Sequence, residues 1–223
     1  MSFTSVPLGK LLQAFYSTEP QLISLLRKDL RSEKKKKEGI KAGSGGDFYV
    51  PFWADVKGHV AGDLDLRVAT ADRVAGNNRR ERLYPLLQKG FLEWWEERRR
   101  LRNVPFRVIR ENVKARHEVA ELGTVRVENT MAITVGDEGH RIFYPYFCED
   151  PALSEEGARL GLWLMSQCIQ KYDLEDMRIL DVLKGRSFST LDTPLLGNEA
   201  ALFSEKYAVV LDRWTKLHGD YGL

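Results

Sequence analysis

The feature that most constrains this chain is a change in the spacing of its apolar residues at Asn103-Val104-Pro105. Upstream, Leu83, Leu87, Phe91, Trp94 and Trp95 recur at helical spacing, with Asn78-Arg79-Arg80-Glu81 as a start signal and Glu96-Glu97-Arg98-Arg99-Arg100 at the end. The acids precede the bases there, which suits intrahelical pairing, and the arginines suit the negative end of the helix dipole. Downstream the period becomes two. Phe106 and Val108, then Val113, Ala115, His117 and Val119, then Val125 and Val127, then Met131, Ile133 and Val135 fall on every second residue. Gly136-Asp137-Glu138-Gly139 marks a turn before the apolar stretch from Ile142 to Phe147. One segment cannot present both periods, so the helix must stop and an antiparallel meander of three or four strands must follow.

After the meander the helical period returns. Ser154-Glu155-Glu156 opens a helix with carboxylates at its positive end, and Leu160 to Ile169 is apolar nearly all round. Such a helix is covered on more than one side. Met177 to Leu183 reads as a strand, Lys184-Gly185 as a turn, and Phe203, Tyr207, Val210, Trp214 and Leu217 as one face of a last helix. Near the N-terminus Thr18-Glu19-Pro20-Gln21 starts a helix: Thr18 caps, Pro20 sits in the first turn and Gln21 reaches back. Leu22, Leu25, Leu26 and Leu30 form its stripe, and it runs out at Lys34, Lys35, Lys36 and Lys37. Residues 38–47 read as a flexible, glycine-rich loop. Phe52, Val56, Val60 and Leu64 predict a helix, although Asp63 to Val68 alternates like a strand.

The expected fold class is α+β: an antiparallel β-meander packed against a buried helix in α-β-β-β-α-β order, with a helical N-terminal region. That region spans 1–76 and the α+β core 77–223. Residues 1–76 hold too few stripe residues for a core of their own, so the two are expected to form one integrated unit.

Charge is unevenly distributed. Residues 1–116 carry an excess of ten positive charges and residues 117–223 an excess of eight negative ones, leaving a net +2. Such segregation suits a basic face for a polyanion, or two parts that attract each other. No apolar run approaches the roughly 18 residues of a membrane span, and Met1-Ser2-Phe3-Thr4-Ser5 lacks the pattern of a secretory signal. The expectation is a cytoplasmic protein without membrane contact. Cys148 and Cys168 have no ligand-like neighbours and read as small buried hydrophobes in a reducing compartment.

The order of elements from Arg79 to about residue 190 resembles the restriction-endonuclease-like, or PD-(D/E)XK, nuclease family. The resemblance implies an acid on the first helix, an Asp on the second strand and a (D/E)-x-K triplet on the third, together holding one or two divalent cations that activate water. Glu93, Glu96 or Glu97 stands for the helix acid, and Glu128 is the acid of the 125–135 hairpin. The third strand reads Ile142-Phe143-Tyr144-Pro145-Tyr146, with aromatics where the acid and lysine belong, and Glu149 and Asp150 follow just after. The catalytic set is thus mostly missing, which implies an inactive relative.

Other motifs are incomplete. His117-Glu118-Val119-Ala120-Glu121 is half of H-E-x-x-H and lies in a strand pattern, whereas that zinc motif needs a helix. With Asp65 close by, a helix would gather His59 and Asp63 on one side, a pattern that suits a solvated polar face better than a metal site. Gly43-Ser44-Gly45-Gly46 lacks the Lys-Ser/Thr of a phosphate loop, and Ser187 and Ser189 have no His at motif spacing. Trp94-Trp95 and Tyr144/Tyr146 sit at core periodicity.

The basic residues point furthest. Lys34, Lys35, Lys36, Lys37, Arg79, Arg80, Arg82, Arg98, Arg99, Arg100 and Arg102 are candidates for a phosphate-tracking surface, whose binding would weaken steeply with salt. The leading expectation is a non-catalytic binding or accessory protein, without cofactor, that contacts nucleic acid or a nucleic-acid-processing protein through its basic half. Two alternatives stand beside it. One is a nuclease using Mg or Mn at a migrated site built from Glu96, Glu128, Glu149 and Asp150. The other is a scaffold subunit without nucleic acid, in which opposite charges draw the halves, or two copies of the chain, together.

Overall fold

The structure, a computed structural model, describes residues 3–39, 48–101, 104–136 and 139–221, apart from the side chains of Lys36 and of residues 98–101. Two apolar runs organise it. β6 (Gly139–Tyr146) and β7 (Met177–Asp181) lie side by side and parallel, with Ile142 opposite Met177 and Tyr146 opposite Asp181. Parallel neighbours need a crossover, and α6 (Glu155–Cys168) supplies it. Ser154 caps α6 as predicted, its side chain accepting from Gly157 N at 3.0 Å. β5 (Met131–Val135) pairs antiparallel with β6, β2 (Phe106–Ile109) with β5, and β8 (Arg186–Phe188) with β7. The resulting mixed sheet has the order β2-β5-β6-β7-β8.

The remaining hairpin, β3 (Ala115–Val119) and β4 (Gly123–Val127), does not join it. β4 pairs instead with β1 (Ser5–Pro7), which runs parallel to it, giving a second sheet ordered β1-β4-β3. The single expected meander is therefore divided between two sheets. Alternation reports which face a side chain takes and is silent about which strand lies alongside. The chain crosses between sheets at Asn129, whose φ of 61° lies in the left-handed region, and Thr130, whose hydroxyl donates to Val113 O.

Helices cover both faces of the five-stranded sheet. On one face Ala132, Ile142, Tyr144, Tyr146, Met177 and Ile179 pack with α6, with α1 (Leu8–Tyr16), with α2 (Glu19–Lys37) and with α7 (Glu199–Asp220). On the other, Met131, Ile133, Phe143 and Leu180 pack with α3 (Val50–Ala61), α4 (Leu66–Ala75) and α5 (Leu83–Leu101). The first 76 residues are thus shared, β1 to α2 on one core and α3 and α4 on the other. The fold is of the α+β class.

Local signals account for most helix ends. Gln21 Oε1 accepts from Thr18 N at 2.8 Å, as its spacing predicts. The helix expected through Phe52, Val56, Val60 and Leu64 stops before its last stripe residue: Gly62, at φ 81°, closes α3, Leu64 lies in the turn, and Asp65 caps a second helix, α4, by accepting from Arg67 N at 2.6 Å. The strand-like alternation at 63–68 therefore spans a turn and a helix start. Before α5 the capping residue is Asn77 rather than Asn78, accepting from Arg79 N and opening a short 3-10 turn. No helix among the described residues is long and apolar enough to cross a membrane.

Glycine sets the closest approaches. A Cβ on Gly90 of α5 would fall 2.3 Å from the carbonyl oxygen of Val182, so α5 lies directly on the turn after β7. A Cβ on Gly161 of α6 would fall 2.2 Å from Ile179 Cδ1, a side-chain terminus.

Candidate functional site

The candidate acids are held apart by separate partners. Glu96, on α5, pairs with Arg67 of α4 at 2.9 Å, and Glu128, just after β4, with Arg126 at 3.3 Å. Glu149 accepts two hydrogen bonds from Arg82, at 3.0 and 2.7 Å, which hold its carboxyl below the usual range. Asp150 accepts from Gln21 Nε2 at 2.6 Å. Among the described residues no three His, Cys, Asp or Glu side chains gather as a metal would require.

Tyr144 and Tyr146 stand where the nuclease resemblance would put an acid and a lysine, and both phenols are turned inward. Tyr144 is 5% exposed and its oxygen accepts from Gly9 N, at the start of α1, at 2.7 Å. Tyr146 is 2% exposed and donates to Pro151 O at 2.7 Å. Burial raises the pKa of each well above that of free tyrosine. Beside Tyr146, across the parallel ladder, lies Asp181, which no motif in the sequence singles out. Its carboxylate accepts from Leu153 N and Lys184 N, at 3.3 and 3.1 Å, while burial pushes its pKa up. The three groups spend their polar atoms on backbone, closing this face of the sheet.

Basic residues are distributed differently. Lys34, Lys35 and Lys37 are exposed at the end of α2, and Arg79 is exposed in the 3-10 turn; among the described residues none of the four makes an ion pair with an acid. Arg80 is half-buried, its guanidinium 5.2 Å from the centre of the Tyr84 ring. The side chains of Lys36, Arg98, Arg99 and Arg100, and the whole of Arg102, lie outside the described residues.

The lesser candidates have structural roles. His117 is in β3, edge-on to Trp163, with its pKa lowered by burial. His59 Nδ1 lies 3.3 Å from Leu66 N, Asp63 lies 3.6 Å from Arg110, and Asp65 caps α4. Gly43 to Gly46 are outside the described residues. Both cysteines are half-buried rather than fully buried; burial pushes the Cys168 thiol up to about 11.

The open feature lies on the opposite face, between α5 and the sheet: a cavity of about 180 Å³. Trp94 and Trp95 of α5, with Phe106, Ile133, Val135 and Phe143 of the sheet, make its apolar wall. Arg141 and Arg178 reach the same space because register sets them on this face, Arg141 beside Ile133 and Arg178 beside Phe143. Asp176 fixes Arg141 at 3.0 Å, and the Glu175 and Met177 carbonyls fix Arg178 at 2.5 and 2.6 Å. Ser187 accepts from Trp94 Nε1 at 3.2 Å, and Ser189 donates to Asp192 at 2.9 Å. Leu191 and Val104 stand at the mouth, 80% and 45% exposed.

Periodicity assigns Trp94 and Trp95 to the core, where they are 4% and 6% exposed, but it does not reveal the cavity beside them. One signal was present. An arginine in the middle of Met177-Arg178-Ile179-Leu180, in a strand buried along its whole length, needs an enclosed polar environment.

No family model matches the chain, and neither a curated protein nor a solved structure is detectably similar to it.

Proposed function

We propose that this protein is a non-catalytic binding or accessory protein that contacts nucleic acid, directly or alongside a nucleic-acid-processing enzyme, through the basic first half of the chain. The observation that carries this reading is the disposition of charge. Glu96, Glu128 and Glu149 are each committed to an arginine, whereas Lys34, Lys35, Lys37 and Arg79 are exposed and make no ion pair among the described residues. Carboxylates so engaged are poor ligands for a hard cation, and exposed lysines and arginines are what a phosphate backbone recruits. The nuclease-like order of elements fits a binding descendant of such a fold, with tyrosines filling the positions of the acid and lysine.

The test is fluorescence anisotropy of a labelled oligonucleotide across a salt series. Binding is expected to weaken steeply with salt, each lost phosphate contact reducing the log–log slope by about 0.7–0.9. Changing Arg98, Arg99 and Arg100 together to Ala should flatten that slope and weaken binding at low salt. Absence of binding at low salt, or an affinity indifferent to salt, would overturn the reading. Cleavage with magnesium or manganese that disappears in Glu128→Ala would instead establish the nuclease alternative.

A further inference from the structure

We propose that the cavity under α5 holds a single unstacked nucleobase, so that the protein engages single-stranded rather than fully paired nucleic acid; this rests on the nucleic-acid reading above. Size is the first argument. Small-molecule sites usually enclose about 300–1,000 Å³, and an apolar cavity of about 150 Å³ accepts one benzene ring. At about 180 Å³ this space fits one ring system, with the rest of a larger ligand left outside.

Chemistry is the second. Trp94, Trp95, Phe106 and Phe143 give the cavity π surface, to which any base can stack or pack edge-on. Arg141, which reaches Asp176 through one Nη and carries five N–H donors in all, lines the cavity and suits the ring nitrogens and carbonyls of a base edge, and the carboxylate of Asp192 suits its amino groups. A wholly apolar ligand would match the aromatic wall but not the charged side chains beside it, and a bare phosphate would waste the aromatic wall. A base supplies both kinds of surface in one plane.

The third argument is access. The cavity mouth is bordered by the exposed Leu191 and Val104, so a base can enter while its sugar and phosphate remain in solvent. In a duplex each base is held in the stack and must be extruded first, at an unstacking cost that a single strand does not carry.

The experiment compares a labelled single-stranded 12-mer with an abasic strand of equal length and charge, by anisotropy at one salt concentration. The base-bearing strand is expected to bind at least tenfold more tightly. Val135→Phe, at a half-buried position on the cavity wall, should erase that difference while leaving abasic binding within twofold; Val209→Glu, exposed on α7, should leave the difference intact. If Val135→Phe fails to fold, quenching of wild-type tryptophan fluorescence by free nucleoside monophosphates, and not by ribose phosphate, tests the same site. Equal affinity for base-bearing and abasic strands would overturn the cavity proposal and leave the electrostatic reading standing. Failure of both strands to bind would overturn the nucleic-acid reading itself, and nucleotide quenching under that condition would still support the cavity as a base site.

Discussion

The two faces of the five-stranded sheet differ in what becomes of their polar groups. On the α1–α6–α7 face, Tyr144, Tyr146 and Asp181 point inward and give their oxygens to backbone partners at Gly9, Pro151, Leu153 and Lys184. On the α5 face, Arg141 and Arg178 border a cavity of about 180 Å³ together with Ser187, Ser189 and Asp192. The first face is filled with phenols whose hydrogen bonds are already made. The lesson is that one sheet can close off its polar groups on one face and leave them bordering open space on the other.

Packing provides the largest expected effect. Gly90→Ala drives a methyl into the rigid backbone at Val182 and Leu183 and should cost about 3 kcal/mol, read as a lowered urea midpoint. Gly161→Ala, on the other face, meets only the movable end of Ile179 and should cost about 1 kcal/mol. Equal losses would mean that α5 does not press on the strand-end backbone as described.

Next in size is the closed face. Tyr144→Phe strands the Gly9 N–H without its acceptor and should cost about 1–2 kcal/mol in stability without changing nucleic-acid affinity. The same phenols set a pH limit. Because burial raises their native pKa values above that of about 10 in the unfolded chain, they contribute no pH dependence below about pH 10 and stability falls as pH rises beyond it. Urea midpoints between pH 8 and 11 should show that decline, and Tyr144→Phe should soften it.

Arg141→Gln sharpens the contrast from the open side. Its half-exposed ion pair with Asp176 contributes less than about 1 kcal/mol, so the fold should survive while binding of a base-bearing strand weakens about tenfold. An unchanged affinity would remove Arg141 from the site. Smallest is the Cys168 thiol. With a pKa raised to about 11, about one molecule in a thousand is thiolate at pH 8, so reaction with a disulfide reagent should be far slower in the native than in the unfolded protein.

Much of this fold was legible because its signals are local. Thr18 with Gln21 and Ser154 with Gly157 announce helix starts within a few residues, and the buried stretch of β6 shows as an apolar run. β1 was not legible: three residues, Ser5-Val6-Pro7, carry no period, and their partner β4 is more than a hundred residues away. The division into two sheets escaped for a related reason, since the alternation of 115–119 and of 131–135 is the same whichever neighbour each strand takes. The candidate acids illustrate a further limit. Spacing can suggest that Glu96, Glu128 and Glu149 converge, but their arginine partners at 67, 126 and 82 are set by tertiary packing. The cavity was hidden because an aromatic stripe that lines a pocket and one that fills a core have the same period.

Hydrogen exchange with and without a saturating single-stranded oligonucleotide tests the functional assignment of the two faces most directly. The account predicts slower exchange in peptides covering the second half of α5, β2 and the segment 186–192, with 8–16 and 155–168 unchanged. Protection confined to α1 and α6, with the α5 face exchanging as in the free protein, would contradict it.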